Sequence, residues 1–370
     1  MIRLPKDVRV ENTKKILNKI LRSPTSRVEL AEEFGLTKTT VGEIVKTFLE
    51  KGVAFEERCE PSGVGRPVKI LRVVPNCAFV IGLALTRDEM AVCVMNAGTE
   101  VLVTEVKGLS DEENGQTILR KLEELVEEMR EKVAKTGNDV KAMTVAVPGP
   151  VDAERGVLLD PPNFPLKDVP LSRLLEDKFG FSVWVENDAD MGAIGEYWAS
   201  KRDDTFIYVL TGKGIGAGIV VKGELYRGPN NYAGELGHIR IFNGKEYVPL
   251  EWICGKEAVE KRLNELGFKG FEEIWEYPRA FEEYLEELAL HFGIAILNAV
   301  HMFGISNVVV GGFMKRLGSA FLERVKKVVE ENLLYKHHVN VEFSCAQISE
   351  VAFGAAVHAL QRYLEDVLTR

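Results

Sequence analysis

One order of predicted secondary structure occurs twice in this 370-residue sequence. Residues 79–108 read as a hairpin and a third strand, followed by a charged amphipathic helix over 111–136 and a strand ending in Pro-Gly-Pro. Residues 205–226 again read as a hairpin, followed by a helix over 281–303 and a strand ending in Gly-Gly. This recurrence predicts two related α/β lobes with a cleft between them. A chain of this length is also too long for one ordinary compact core.

The composition is that of an ordinary soluble globular protein, with 46% hydrophobic and 28% charged residues. No apolar run is long enough to cross a bilayer, and the N-terminal sequence MIRLPKDVRVENTKK contains no apolar signal core. We therefore expect a cytoplasmic protein without a membrane partner. The five cysteines include no CxxC pair, which argues against a disulfide framework and against a cysteine-rich metal site.

The formal net charge of −9 is unevenly distributed along the chain. Residues 1–75 carry a net charge of +5, and the remaining residues carry −14. A basic segment on an acidic body suggests that the segment, rather than the body, meets a polyanion. The alternative is a solvated surface whose charge varies by chance, and the charge alone does not choose between the two.

Residues 27–46 have the spacing of a helix-turn-helix motif. Gly35 falls at the turn, where left-handed backbone geometry is needed, and Thr37 is a natural N-cap for the second helix. A first helix over 11–22 precedes the motif, and two strands around the Gly/Pro-rich sequence SGVGRP follow it. Residues 1–75 are therefore predicted to form a winged helix-turn-helix DNA-binding domain.

Polar side chains on the outer face of the second helix, together with the wing, are the candidate DNA contacts. Lys38 and Thr39 could reach base edges and phosphates, and Lys46 could reach a phosphate. Arg66 lies on the stiff wing tip, a position from which an arginine can enter a minor groove. The full candidate set is Lys38, Thr39, Thr40, Glu43, Lys46 and Arg66. A small helical domain that docks a protein instead of DNA is the alternative interpretation.

The sequence VENDAD, residues 185–190, places an amide and carboxyl groups at the end of a predicted strand. Asn187 can both donate and accept hydrogen bonds, and the carboxylate of Asp188 is a strong acceptor, so the pair suits a ligand rich in hydroxyl groups. The structural alternative is that these residues cap the helix that follows them.

Gly-rich turns follow two later strands. The turn TGKGIGAG, residues 211–218, lets backbone N–H groups approach a phosphate or another anion. Gly311 and Gly312 follow another apolar run. Because glycines also permit tight packing, neither turn identifies a ligand by itself.

Five segments together resemble the ROK family of sugar kinases and sugar-responsive repressors. They are VAVPGPVD, PPNF, VENDADMGAIGE, TGKGIGAGIVVKGELYRGPNNYAGELGH and VVVGGF, and they occur in the family's order within residues 79–365. The resemblance implies an actin-like, hexokinase-like body of the ribonuclease H type, with lobes over 76–190 and 191–370. The C-terminal helix is a candidate to pack back on the first lobe. Members with an added winged head resemble repressors of sugar and xylose-type operons, whereas members without it are usually kinases.

The resemblance implies that a sugar binds between the lobes. In a kinase of the family, Asp188 would be the general base that takes the proton from the sugar hydroxyl. Glu186, in the same segment, is interpreted as structural. The candidate sugar contacts that match the family's motifs are Asn163, Asn187, Asp188, Glu235, His238 and Glu251.

The sequence departs from the kinase pattern at the first hairpin. Kinases of the family carry an acidic residue there, in a D-x-G-x-T pattern, which organises Mg²⁺ and the ATP phosphates. Ala84 stands at the acidic position, and Thr86 and Arg87 stand at the glycine positions. A methyl group cannot hold a metal's water, and these side chains obstruct the approach of a phosphate. Only the kinase alternative requires Mg-ATP, and its contacts would be Thr211, Gly212, Gly214, Gly216, Gly311 and Gly312.

A second departure concerns zinc. The family usually follows Gly-His with a C-x-C-G-x-x-G-C zinc loop and then Leu-Glu. Here residues 239–249 contain no cysteine, and Cys254 falls after the glutamate. One histidine and one displaced cysteine cannot complete a tetrahedral site, so we expect no structural zinc, no other metal and no cofactor.

The sequence thus predicts a sugar-responsive transcriptional regulator, in the first place a repressor, with operator DNA and a sugar effector as its partners. We expect a homodimer or a higher homo-oligomer, because two heads match a palindromic operator. The main alternative is an ATP-dependent kinase for a hexose or an N-acetylhexosamine, similar to glucokinase or N-acetylglucosamine kinase. A protein-docking adaptor without a small ligand would explain the head but not the polar residues of the cleft.

Overall fold

The computed structural model describes residues 5–59, 68–110, 112–161, 164–200, 205–271, 278–334, 338–346 and 349–369. Within these residues a small head precedes two lobes, each built on a five-stranded sheet. No helix among them is long and apolar enough to cross a membrane. The two-lobed α/β architecture expected from the sequence repeat is confirmed.

The head contains three helices and a three-stranded antiparallel sheet of order β1-β3-β2. Ser26 and Glu29 form a capping box at the second helix, and the Thr37 hydroxyl accepts the backbone N–H of Thr40 at 3.1 Å to begin the third. Gly35 has a φ of +62°, the left-handed geometry that the turn requires. The elements of the head are α1 (Pro5–Arg22), β1 (Thr25–Ser26), α2 (Arg27–Glu33), α3 (Lys38–Glu50), β2 (Ala54–Cys59) and β3 (Val68–Val73).

The first lobe has a mixed sheet of order β10-β7-β4-β5-β6. Strands β4, β7 and β10 are parallel to one another, and β7 pairs with β10 so that Val147 lies opposite Asn187. Both strands therefore end at the same edge of the sheet. The elements are β4 (Phe79–Leu85), β5 (Glu89–Asn96), β6 (Val101–Gly108), α4 (Gly115–Ala134), β7 (Val140–Val147), β8 (Val151–Asp152), β9 (Val157–Leu158), α5 (Leu171–Phe179) and β10 (Ser182–Asn187).

The second lobe repeats this plan with a sheet of order β13-β12-β11-β16-β17. Its largest apolar cluster among the described residues joins one face of this sheet to the helices over 256–265, 278–303 and 318–332. The elements that follow β10 are α6 (Asp188–Ala199), β11 (Phe206–Thr211), β12 (Ile215–Val221), β13 (Glu224–Tyr226), β14 (Arg240–Phe242), β15 (Tyr247–Pro249), α7 (Glu251–Cys254), α8 (Lys256–Glu265), α9 (Pro278–Phe303), β16 (Asn307–Gly312), α10 (Gly318–Asn332), β17 (Asn340–Phe343) and α11 (Glu350–Thr369).

Helices α6 and α11 cross in direct backbone contact. A Cβ atom at Gly195 would overlap the carbonyl of Glu350, and a Cβ atom at Gly354 would overlap the carbonyl of Met191. Helix α11 also lies against the first-lobe sheet, where a Cβ atom at Gly82 would overlap its backbone. These glycines are required because no side chain fits between the two helices or between α11 and the sheet.

The head is bound to the body through α1. Lys14 forms an ion pair with Glu365 at 2.7 Å, and the Gln361 amide donates to Asn18 at 2.8 Å, both across the contact of α1 with α11. At the end of α1, the Arg22 guanidinium lies 4.0 Å from the ring centre of Tyr197, a residue of α6. The head thus contacts the ends of both crossing helices.

Several element bounds differ from the expected ones for local reasons. Helix α1 begins at Pro5 rather than at residue 11, and α4 begins at Gly115 because the Asn114 side chain caps it. The two-residue strand β1 has too short a pattern to be read from sequence, yet it pairs with β3. Arg66 and the rest of the wing tip lie outside the described residues.

Candidate functional site

A cleft with a volume of about 440 Å³ lies between the lobes. Its walls come from the β4–β5 hairpin, the ends of β7 and β10, the turn between β11 and β12, the segment 227–238, and the start of α7 and α8. The volume falls in the range of small-molecule sites in proteins. Its residues include all the expected sugar contacts except Asn163, which lies outside the described residues.

Asn187 and Asp188 form the start of α6 and also line the cleft. The Asn187 side chain caps the helix by accepting the backbone N–H of Asp190 at 3.1 Å, and it donates to the carbonyl of Gly149 at 3.3 Å. Asp188 accepts the N–H of Ala189 at 2.8 Å. The capping role and a ligand-binding role are therefore compatible, because each side chain keeps further donor or acceptor capacity toward the cleft.

Two carboxyl groups at this helix terminus have strongly raised pKa values. Burial raises the pKa of Asp188 to about 7; Glu235 adds to this effect, whereas backbone N–H groups and Arg87 oppose it. Burial likewise raises the pKa of Asp190 to about 7, against the opposing charge of Arg227. Near neutral pH both the protonated and the ionised forms of these carboxyl groups are therefore accessible.

The second lobe places three of the expected sugar contacts on the opposite wall. Glu235 and His238 lie on one 3₁₀ turn, with 3.8 Å between the Glu235 carboxylate and Nδ1 of His238. The Glu251 carboxylate packs against Gly214 and Gly237, where a Cβ atom would lie within 3.3 Å of Oε2. The structure thus brings Glu235, His238 and Glu251 to the same cleft as Asn187 and Asp188, although they are far apart in sequence.

A polar network that begins in the wall of the cleft was missed by the sequence reasoning. Arg227, in the second lobe, donates to Glu186 of the first lobe and lies 3.6 Å from Asp190. Glu186 also contacts Nε2 of His358 at 3.3 Å, and Nδ1 of that ring lies 3.0 Å from the hydroxyl of Thr144. Because a carboxylate only accepts hydrogen bonds, Nε2 carries the proton and Nδ1 accepts from the hydroxyl.

This network links the cleft to helix α11. Burial lowers the pKa of His358 to about 4, so the ring is neutral at neutral pH. The structural role expected for Glu186 agrees with its position. The sequence offered two signals, Arg227 in the ELYRG segment and His358 in the last helix. Neither indicates which residue the side chain contacts.

The glycines of the expected nucleotide site have packing roles in this chain. A Cβ atom at Gly311 would overlap the Tyr208 hydroxyl, and one at Gly312 would overlap the carbonyl of Thr211. The buried Thr211 hydroxyl donates to the carbonyl of Gly311 at 2.6 Å and accepts the N–H of Met314 at 3.1 Å. Gly216 leaves room for Ala189 of α6. Thr211, Gly216, Gly311 and Gly312 are thus explained without a nucleotide, and the assignment of the whole set to one stays a prediction.

The first hairpin does not fit Mg-ATP. Ala84 is buried in β4 and supplies no metal-binding group, while Arg87 and Asp88 occupy the adjoining turn. Burial is the largest single effect and acts to raise the pKa of Asp88, but the hydrogen bonds from Lys256 and Thr86 and the nearby lysine charges together outweigh it, so this pKa lies below its ordinary value. Across the described ranges, no group of three or more His, Cys, Asp or Glu side chains could hold a metal ion.

The expected DNA-contacting face lies on α3. Lys38, Thr39, Glu43 and Lys46 are exposed, and the Thr40 hydroxyl pairs with that of Thr37 at 2.9 Å. Whether they meet DNA stays a prediction.

One further cation borders this face. The Arg27 guanidinium, bonded to Glu56 at 2.7 Å, lies 4.0 Å from where a Cβ atom of Gly42 would stand. Sequence reasoning missed Arg27, because the spacing of the buried residues of α2 does not indicate that this side chain lies beside Gly42 of α3.

Comparison with known proteins decides the family. A model of the ROK family matches residues 80–362. The chain belongs to the ROK family. A putative xylose repressor from Caldicellulosiruptor sp. (strain Rt8B.4) is 29% identical over 359 residues, covering 89% of this chain and 90% of that protein. The N-acetylglucosamine repressor of Escherichia coli O157:H7 is 24% identical over 369 residues, covering 93% of this chain and 91% of that protein.

Solved ROK structures share the fold. A ROK family transcriptional regulator, described as a homologue of the E. coli MLC protein, has a TM-score of 0.80 at 21% identity and covers 98% of both chains. A ROK family glucokinase from Streptomyces griseus, in complex with glucose and AMPPNP, has a TM-score of 0.66 at 24% identity. The matched region covers 99% of the glucokinase but 76% of this chain. The expected family and its regulator branch are confirmed. The solved ROK regulator and the present chain match each other over almost their whole lengths.

Proposed function

We propose that this ROK protein is a sugar-responsive transcriptional repressor. The observation that carries the proposal is that one helix, α6, begins at the polar cleft and ends at the head. Asn187 and Asp188 line the cleft at its start, and Tyr197 contacts Arg22 of the head near its end. The repressor relatives of similar length support this assignment. Operator DNA is the partner of the head, and a sugar is the effector in the cleft.

The sugar would bind between the two walls of the cleft. Its hydroxyl groups donate to the carboxylates of Asp188, Glu235 and Glu251, and the amide of Asn187 can donate and accept. His238 is a further contact, and Asn163 completes the candidate set. Because these groups belong to both lobes, a bound sugar favours the arrangement in which the lobes are closest.

The DNA-binding surface would be the exposed face of α3 together with the wing. Lys38, Thr39, Thr40, Glu43 and Lys46 are the candidate contacts of the helix, and Arg66 is that of the wing. Two copies of the chain would present two heads to half-sites about 34 Å apart, one helical turn of DNA. Sugar and operator then bind antagonistically, and each weakens the other by the same factor. The protein would act in the cytoplasm as a homodimer or a higher homo-oligomer.

A kinase acting on a sugar hydroxyl is the second candidate, because Asp188 has a pKa near 7 and lines the cleft. Ala84 at the metal position opposes it, and the residues of this hairpin do not fit Mg-ATP.

We infer that the protein uses neither zinc nor another cofactor. His238 lies beside Glu235, and the segment that follows it carries no thiol to complete a zinc site.

The test starts from a DNA duplex selected from a random library by the full-length protein. Hexoses, pentoses and N-acetylhexosamines are then titrated against the complex, and operator affinity is measured by fluorescence anisotropy. One sugar should weaken operator binding at least tenfold, and its own binding should weaken equally when operator is present. Selection of no sequence from the library would contradict the repressor assignment. ADP release with Mg-ATP and any sugar of the panel at ordinary enzyme rates would favour the kinase instead.

A further inference from the structure

An ion pair joins the two lobes at one end of the cleft. Asp88 lies in the turn between β4 and β5 of the first lobe, and Lys256 is the first residue of α8 in the second lobe. Nζ of Lys256 donates to Oδ2 of Asp88. The Thr86 hydroxyl donates to the other carboxylate oxygen at 3.0 Å, so the acid is held in place from its own lobe as well.

The same end of the cleft contains the Gly-rich turn, and this turn is already occupied by protein contacts. The backbone N–H of Lys256 donates to the carbonyl of Gly212 at 2.9 Å, and the N–H of Gly212 donates to the carbonyl of Gly214 at 2.8 Å. A turn that holds a phosphate must direct such N–H groups outward. Here at least the N–H of Gly212 is directed into the turn instead.

The charges at this end also oppose a nucleotide. Lys213 of the turn lies 3.5 Å from Glu257, and the Glu251 carboxylate packs against Gly214. A triphosphate would therefore have to separate Asp88 from Lys256 and come close to two further carboxylates. Carboxylates outnumber cationic side chains along the whole lining, so a multiply charged anion gains little from the cleft.

We propose that the Asp88–Lys256 ion pair takes the place of a nucleotide as the bridge between the lobes, so that the cleft closes on a single uncharged sugar. In a kinase, phosphates and metal connect the first hairpin to the Gly-rich turn. In this chain Asp88 of the first hairpin connects directly to Lys256, whose backbone N–H donates to Gly212 of the Gly-rich turn. The pair limits how far this end of the cleft opens before ligand arrives, which reduces the cost of closing around a small ligand. The sugar part of this inference rests on the proposed function, whereas the bridge itself does not.

The bridge can be tested without any ligand. Lys256→Met keeps the length of the side chain and removes its charge, and Asp88→Asn does the same for the acid. Lys178→Met is the matched control, because Lys178 pairs with Glu123 within the first lobe and spans no cleft. Hydrogen exchange of the full-length protein should accelerate severalfold at residues 86–90 and 212–216 in both cleft variants and stay unchanged in the control. Unchanged exchange at both segments would overturn the bridge, whatever the protein binds.

Ligand binding tests the specificity. By calorimetry, Lys256→Met should weaken binding of the effector sugar about two- to fivefold, the scale of a partly exposed ion pair. The double variant Asp88→Lys/Lys256→Asp should recover part of that loss. The wild-type protein should bind Mg-AMPPNP no better than the control compound sodium triphosphate, with or without sugar. Saturable binding of Mg-AMPPNP by the wild type would overturn the inference. Failure of every sugar to bind, with accelerated exchange in Lys256→Met, would contradict the proposed function but leave the bridge supported.

Discussion

Asp188 shows how one carboxyl group serves both the backbone and the cleft. It accepts a backbone N–H of its own helix, and this bond stabilises its charged form, but burial outweighs the bond and raises the pKa to about 7. A buried carboxylate with unfilled acceptor capacity binds a hydroxyl group more strongly than an exposed one does, because water does not compete. The environment that would suit a catalytic base therefore also suits a binding residue.

Replacing Asp188 by asparagine should separate sugar binding from DNA binding. Asp188→Asn keeps the shape and the cap but loses the charged acceptor, so sugar affinity should fall about 30- to 100-fold. Operator affinity in the absence of sugar should stay within twofold of the wild type. Calorimetry and fluorescence anisotropy measure the two affinities, and Asp177→Asn on the exposed face of α5 is the control. A variant that still releases operator at wild-type sugar concentrations would remove Asp188 from the site.

The lowered pKa of His358 predicts that the free energy of unfolding depends on pH. Its pKa is about 4 in the folded protein and about 6.5 in the unfolded chain. The unfolded state binds the proton more tightly, so this group stabilises the fold fully above pH 6.5, and its contribution falls as the pH falls toward 4. Between pH 7 and pH 5 the loss is about 2 kcal/mol.

The variant His358→Gln keeps a donor for Glu186 but does not titrate. Denaturant unfolding from pH 7 to pH 5 should therefore show a decline in the wild type that the variant lacks. The raised pKa values of Asp188 and Asp190 act in the opposite direction in this window, but they are common to both proteins and cancel in the difference. Parallel stability curves for the two proteins would contradict the buried neutral histidine.

At the scale of elements, the contact of α6 with α11 connects the parts of the molecule. Each helix carries a glycine at the crossing, Gly195 on α6 and Gly354 on α11, and the backbones touch because no Cβ atom intervenes. Helix α6 starts at the cleft, and α11 carries both His358 and the residues that hold α1. A rotation of one helix must therefore displace the other, because packed backbone contacts have little free space.

Adding one methyl group at this crossing should be costly. The Cβ atom of Gly354→Ala would overlap the backbone of Met191, which is part of α6 and cannot rotate away. We expect the free energy of unfolding to fall by at least about 2 kcal/mol, measured by urea denaturation. Gly42→Ala on α3 is the matched control, since its Cβ would have 4.0 Å to the nearest side-chain atom. That variant should gain about 0.5–1 kcal/mol from helix propensity. Equal effects of the two variants would show that the crossing has room to relax.

The sequence allowed the elements to be predicted but not their long-range contacts. Periodicity and caps located the helix-turn-helix, the two hairpins and the cleft-facing strand end, because these depend on neighbouring residues. The Asp88–Lys256 pair joins residues 168 positions apart, and the contact of His358 with Glu186 has a similar separation. No local pattern encodes such a partner. The glycines of α6 and α11 are evident in the sequence, but their packing role follows only from the contact between the two helices.

At the scale of the whole molecule, the head is held to the body at two places. One is the pair of polar contacts between α1 and α11, and the other is the stacking of Arg22 on Tyr197 near the end of α6. A buried apolar cluster that includes Ile16 and Leu17 of the head and Leu360 of α11 also joins the two parts, so movement of the lobes reaches the head through this packing as well as through these contacts. A change in either should alter the coupling between sugar and DNA without altering either site.

Arg22→Gln provides the sharpest test of this arrangement. The glutamine stays polar but is shorter and uncharged, so it loses the stacking on the Tyr197 ring and the contact with the Tyr197 carbonyl, which Arg22 reaches at 3.4 Å. Sugar affinity of the isolated protein and operator affinity without sugar should both stay within about twofold. The ratio of operator affinities with and without sugar should fall about fivefold, since a cation–π contact of about 1 kcal/mol is lost from one of the two states.

The control for this variant is Arg173→Gln, an exposed arginine on α5 far from the head in sequence and in contacts. Both ratios come from the same anisotropy titration at fixed salt, because DNA affinity depends steeply on salt. An unchanged ratio in Arg22→Gln would mean that the coupling does not depend on the stacking of Arg22 on Tyr197. A reduced operator affinity without sugar would instead mean that Arg22 orients the head for DNA in both states.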